Sequence, residues 1–199
     1  MAITSGIFSS EVKFEERLAG SLPELERLVD HLRGIGLKVV LTSGSFDLVH
    51  LGHVKYLAKA KELGDVLVVG VDGDAKIRAR KGEDRPMVPQ DERLEMLAHQ
   101  RPVDLIYLKG DEEPRWALIK AVRPDVLVLS TDHSYSDQEM VELGEICGEV
   151  RVLERQASVT TSERIRQLYM HLGEQLGPRL AEILPDLIET ILKRSHPPE

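Results

Sequence analysis

His50 and His53 are the residues on which chemistry could turn. They stand three apart at the start of a helical pattern, so their rings share one face. Just before them, Gly44-Ser45-Phe46-Asp47 follows the apolar run Val39-Val40-Leu41-Thr42-Ser43. Gly44 and Ser45 let the chain turn sharply beside a ligand, and Gly52 removes a side chain at the first helical turn. Two imidazole donors and the free N–H groups of a helix start would then surround one anion, as suits a phosphate. Other groups could join them. A basic run holds Lys76, Arg78, Arg80 and Lys81, Arg93 sits early in a helical stretch, and Thr160-Thr161-Ser162 offers hydroxyls at another helix start. Asp72 and Asp132 end two further apolar runs.

These residues need a frame that brings strand ends together. Strands are expected at 38–42, 66–71, 104–108, 126–129 and 150–153, with helical patterns between them. The run at 66–71 is apolar throughout, as in a parallel strand covered on both faces. Alternation with right-handed crossovers predicts an α/β fold, a Rossmann-like doubly wound parallel five-stranded sheet, with ligands outside the strand C-termini. Ser21 with Glu24 reads as a capping box for a helix striped by Leu22, Leu25, Leu28, Val29 and Leu32. Ser136 caps a later one. Residues 1–20 read as an arm of little pattern. Helices are expected over about 161–171 and again over 178–194, the second kinked at Pro185. The domain scheme is therefore an arm and helix over 1–36, a core domain over 37–170 and a helical extension over 171–199.

The 199 residues suffice for one α/β domain, and 42% are apolar. A net charge of −8 argues against a nucleic-acid surface. Cys147 is the single cysteine, which excludes an internal disulfide and fits a cytoplasmic protein. No apolar stretch is long enough to span a bilayer, and no signal-peptide pattern opens the chain. Gly70-Val71-Asp72-Gly73 does not make the dehydrogenase fingerprint. A zinc site through His50 and His53 lacks a third ligand and cysteine partners.

Gly44-Ser45-Phe46-Asp47 followed by His50-Leu51-Gly52-His53 resembles the signature of the cytidylyltransferase-like nucleotidylyltransferases. Heptose-1-phosphate adenylyltransferases are the most similar, with glycerol-3-phosphate cytidylyltransferases and archaeal-type FAD synthetases next. The resemblance spans about residues 38–168. It implies transfer of a nucleotidyl group from ATP, or next CTP, to a small sugar or polyol phosphate, with Mg²⁺ and release of pyrophosphate. It implies catalytic roles for His50, His53, Lys81 and Arg93, with Lys81 and Arg93 on phosphates. Ser43, Gly44, Ser45, Phe46, Gly52, Asp132, Thr160, Thr161 and Ser162 would bind nucleotide; Asp47, Asp72 and His133 would bind the other substrate. No protein metal ligands are implied. The chain departs from the heptose pattern Lys-Gly-Gly-Asp-Tyr, having Leu129, Ser130, Thr131, Asp132 and His133 there. FAD synthesis and a catalytically silent nucleotide-binding regulator are the alternatives. Seven aliphatic residues at helical spacing between Leu180 and Leu192 make an appendage that either packs on the core or serves to associate, and a homodimer is expected.

Overall fold

The computed structural model describes residues 13–131, 134–154 and 161–195, with the side chains of 161, 162, 164 and 187–195 outside that description. Two compact units emerge, Met1–Ser158 and Val159–Glu199.

In the first unit the elements run α1 (Phe14–Arg17), β1 (Leu18–Ala19), α2 (Leu22–Gly34), β2 (Val39–Gly44), α3 (Leu51–Lys61), β3 (Val66–Asp72) and α4 (Asp74–Lys81). Then come α5 (Gln90–Ala98), β4 (Leu105–Lys109), α6 (Ala117–Val122), β5 (Val126–Ser130), α7 (Asp137–Ile146) and β6 (Glu149–Leu153). The strands form one sheet in the order β1-β4-β3-β2-β5-β6, and every pairing is parallel. The chain builds outward from β2 through β3 to β4, then returns to pair β5 on the other side of β2. The switch point lies at the C-terminal end of β2, where the histidine loop begins.

Strand periodicity divides the core into two layers. Val39, Leu41, Val66, Val68, Leu105 and Leu127 face α2, α6 and α7, whose Leu25, Val29, Val122 and Leu143 complete that layer. Val40, Leu67, Val69, Val71, Ile106 and Val128 face α3 and α5 through Leu57, Ala60, Leu94 and Leu97. Both N-caps are where they were expected, but the box at Ser21 is only half made, since the Glu24 carboxylate accepts from Gly20 N at 2.9 Å. Ser21 Oγ accepts from Glu24 N, and Ser136 and Glu139 cap one another's backbone N–H at the start of α7.

Three expectations change. The sheet has six strands, because the stretch read as an arm supplies β1, which pairs with β4. Arg17 anchors it, with Nη1 donating to Ala98 O at 3.2 Å and Val103 O at 2.6 Å. A two-residue strand is too short to show periodicity. The basic run, which the resemblance would make a loop, forms α4, since Gly73 and Asp74 start a helix and Gly82, at φ 99°, ends it. In the second unit, one helix, α8 (Thr161–Ser195), runs through both Pro178 and Pro185, so a boundary at 170 falls inside it.

Candidate active site

The loop after β2 is held in a conformation the chain would not adopt freely. Phe46 and Leu48 both have left-handed backbones, at φ 46° and 48°. Such strain persists only where surrounding contacts over-determine it. Gly44 makes room, since a Cβ there would lie 3.2 Å from the Phe46 ring. That ring is buried beneath the loop. Asp47 is buried too. Its carboxylate accepts from Arg85 Nη1 at 2.7 Å, Met87 N at 3.0 Å and Val88 N at 3.1 Å. Asp47, expected on substrate, therefore ties the loop to the 85–88 segment.

Arg93 makes a second tie. It was expected on a phosphate, yet it is fully enclosed. Nε donates to Val88 O at 3.0 Å, Nη1 to Ser45 O at 2.6 Å, and Nη2 to Asp72 O at 2.9 Å and Asp74 Oδ1 at 2.7 Å. A planar guanidinium fork can meet four acceptors in different directions, which an ammonium cannot. Arg93 is a positioning residue: it joins the ends of β2 and β3 to α4 and α5.

The two histidines then begin α3. His50 is the N-cap, and its Nδ1 accepts from Gly52 N at 3.0 Å. His53 Nδ1 accepts from His50 N at 3.3 Å. The rings stack, with centroids 4.1 Å apart, and Phe46 meets His53 edge-on at 5.6 Å. An Nδ1 that accepts an N–H carries no proton, so each neutral ring keeps its proton on Nε2. Burial above all, then the His50 ring and the Lys81 ammonium, push His53 down to about 4. The result is a stacked pair of Nε2–H donors. The Gly52 N–H, by contrast, is spent on His50.

Lys81, at the end of α4, reaches the same loop, and Nζ donates to Ser45 Oγ at 2.9 Å. Partial burial and then the charges of Arg80 and Arg85 lower its pKa, which marks a locally cationic corner in an acidic protein. A cleft of about 230 Å³ opens over the ends of β2, β3 and β4 beside the start of α6; Ser43 and Asp72 line it, whereas His50, His53 and Lys81 do not. Asp72 is buried at the end of β3, where it accepts from Lys109 Nζ at 2.8 Å and Arg80 Nη2 at 2.9 Å. Burial alone would raise its pKa; Lys109 and Arg80 outweigh that and hold it below the ordinary carboxylate value. Gly70 of β3 allows α6 in close, since a Cβ would sit 2.4 Å from Leu118 Cδ2.

Sequence reasoning missed Lys109, Arg115, Trp116 and Tyr135, all of which line the cleft. Only Lys109 left a signal: it ends β4 in register with Asp72. Asp132, His133 and Thr160 lie outside the described residues, as do the side chains of Thr161 and Ser162. Among the described residues no cluster of three His, Cys, Asp or Glu side chains could hold a metal ion, and no helix is long and apolar enough to cross a membrane.

A doubly wound parallel sheet with a stacked histidine pair at its switch point defines an α/β protein built to hold ligand at the strand ends. The chain belongs to the cytidylyltransferase-like family, whose model matches residues 41–175. It is 42% identical over 154 residues to the bifunctional protein HldE of a Nitratiruptor species, covering 76% of this chain and 32% of that one. It is 37% identical over 160 residues to HldE of Wolinella succinogenes, covering 80% and 33%. The chain thus spans about a third of the length of these relatives. Among solved structures, a lipopolysaccharide core biosynthesis protein from Thermoplasma volcanium is similar at a TM-score of 0.50 and 30% identity, over 60% of this chain and 97% of that one. A pantoate-beta-alanine ligase from Francisella tularensis, at TM-score 0.50 and 16% identity over 73% of this chain and 68% of that one, shares the fold.

Proposed function

We propose that the protein transfers a nucleotidyl group, with ATP favoured over CTP, to a small sugar or polyol phosphate. The observation that carries this is the stacked His50–His53 pair with both Nδ1 atoms satisfied by backbone N–H, beside Lys81. The family and the HldE relatives support the same reaction type.

A phosphomonoester oxygen attacks the α-phosphorus. The new P–O bond forms as the bond to the β-phosphate oxygen breaks, and pyrophosphate leaves with that electron pair. The monoester is already ionised near neutral pH, so no general base is needed. The protein supplies position and charge stabilisation. His50 and His53 donate from Nε2 to oxygens that gain charge in the transition state. Lys81 draws acceptor and triphosphate together. Arg93 and Asp47 keep the loop in the shape that aims them.

Asp72 and Asp47 are already committed to Lys109, Arg80 and Arg85. With both carboxylates paired, a Mg²⁺ would be expected to enter with the nucleotide and to ask few ligands of the protein. Bound there, it would neutralise phosphate charge. The substrates suit a cytoplasmic protein, and the exposed apolar residues of α8 suit a homodimer.

The test is pyrophosphate release, with ATP and CTP each crossed against heptose, hexose and glycerol phosphates and FMN. Turnover with ATP and a sugar phosphate is expected. Turnover with FMN alone would overturn the sugar reading, and turnover with CTP alone the choice of base.

A further inference from the structure

Trp116 combines three features that ordinary packing does not require. Its backbone is left-handed at φ 65°, ψ 14°, an unfavourable conformation for a bulky residue. Its indole Nε1 is enclosed with no hydrogen-bond partner among the described residues. Its ring is fixed from two sides. The Arg115 guanidinium lies 5.2 Å from the ring centroid, and Tyr135 meets it edge-on at 6.4 Å. Arg115 is itself anchored by Glu139 of α7. Strain and an orphaned donor cluster where a ligand completes the structure.

Trp116, Arg115 and Tyr135 line the same cleft as Asp72, Arg80 and Lys109. The wall thus offers one flat apolar face and a ring of charged donors with a carboxylate acceptor. A sugar has the matching chemistry: C–H faces for the aromatic ring and hydroxyls for the polar rim. The excess of cations over Asp72 and Glu113 suits an acceptor that also carries a phosphate. Arg80 reaches Asp72 at 2.9 Å and the next residue, Lys81, reaches Ser45 Oγ at 2.9 Å, so this wall adjoins the phosphate corner.

We propose that this cleft is the acceptor subsite and that Trp116 determines its specificity, seating the sugar against its ring and donating Nε1–H to a hydroxyl. The proposal rests on the nucleotidyl-transfer reading for the reaction but names residues that reading does not use. A buried donor of this kind discriminates because an acceptor lacking the hydroxyl leaves it unpaired.

Trp116 is the only tryptophan in the chain, so intrinsic fluorescence reports on the cleft without turnover. Heptose 1-phosphate, hexose 1-phosphates and glycerol 3-phosphate are titrated, with ATP and inorganic phosphate as controls. A saturable change with at least one sugar or polyol phosphate is expected, and little with inorganic phosphate. Trp116→Phe keeps a ring and removes the donor, so the acceptor KM should rise roughly tenfold, with kcat and the ATP KM within about twofold. A fluorescence change with ATP alone, or an unchanged acceptor KM in both Trp116→Phe and Trp116→Ala, would overturn the subsite while leaving the reaction standing. If no acceptor yields pyrophosphate, the reaction reading fails, and the titration still decides whether the cleft binds sugar phosphates.

Discussion

The guanidinium of Arg93 donates to the main-chain oxygen of Ser45 at 2.6 Å, joining α5 to the loop after β2 across 48 residues of sequence. The same side chain pairs with Asp74 at 2.7 Å and reaches the end of β3. Removing it strands several enclosed acceptors at once. Arg93→Ala should cost about 3–5 kcal/mol of stability, the usual loss when one partner of a buried ion pair is deleted. Arg93→Lys should recover little, because one ammonium cannot serve all four acceptors. Denaturant midpoints measure both. If Arg93→Ala keeps its midpoint and loses only activity, Arg93 touches substrate after all.

The histidines can be separated from their capping role. His53→Ala should lower turnover by about a hundredfold or more, the typical loss of a charge-stabilising donor, with the fold retained. His50→Asn keeps an N-cap side chain at the start of α3 and loses the Nε2–H donor, so activity should fall while stability changes by less than about 1 kcal/mol. Pyrophosphate release and circular dichroism, read side by side, distinguish the two effects. Near-normal turnover in both variants would remove the pair from the mechanism.

His53 should also leave a mark on stability. Its pKa of about 4 lies below the ordinary 6.5, so between those values the unfolded chain binds a proton that the folded chain refuses. Stability from this group is fully present above pH 6.5 and is lost as pH falls toward 4. A proton NMR titration of the free protein should place the His53 midpoint near 4. His53→Gln should show a shallower fall in melting temperature between about pH 7 and pH 5 than the parent. A midpoint near the ordinary 6.5 would refute the half-buried neutral ring.

Leu172, Leu176, Leu180 and Leu184 of α8 follow one another at intervals of four and are exposed, as are Tyr169 and Ile183. One helix face of this kind in water favours association. Ending the chain after Gly177 removes the second half of that stripe. The truncated protein should show a smaller assembly by analytical ultracentrifugation, or lower solubility. An unchanged, soluble and active product would exclude the helix from assembly.

Local signals determined a good deal of this protein without any structure. The short, β-branched apolar run of β3 reads as a strand covered on both faces, and it is one. Ser21 and Ser136 announced their helices, because a cap and its helix lie within four residues of each other. The placement of His50, Gly52 and His53 at a helix start was legible for the same reason: strand, turn and helix start are contiguous. Tertiary structure decided what the other polar residues do. In sequence Arg93 is a cation on a helix; only the packing of α5 beneath the loop turns it inward. Asp47 finds its partners 38 to 41 residues away, and Asp72 meets Lys109 37 residues on. Trp116 has a left-handed backbone and an enclosed indole with no partner among the described residues, neither of which its neighbours in sequence announce. β1 is two residues whose strand character exists only against β4. Such roles follow from which buried donor meets which acceptor after the chain crosses over, and residue types along the chain do not carry that pairing.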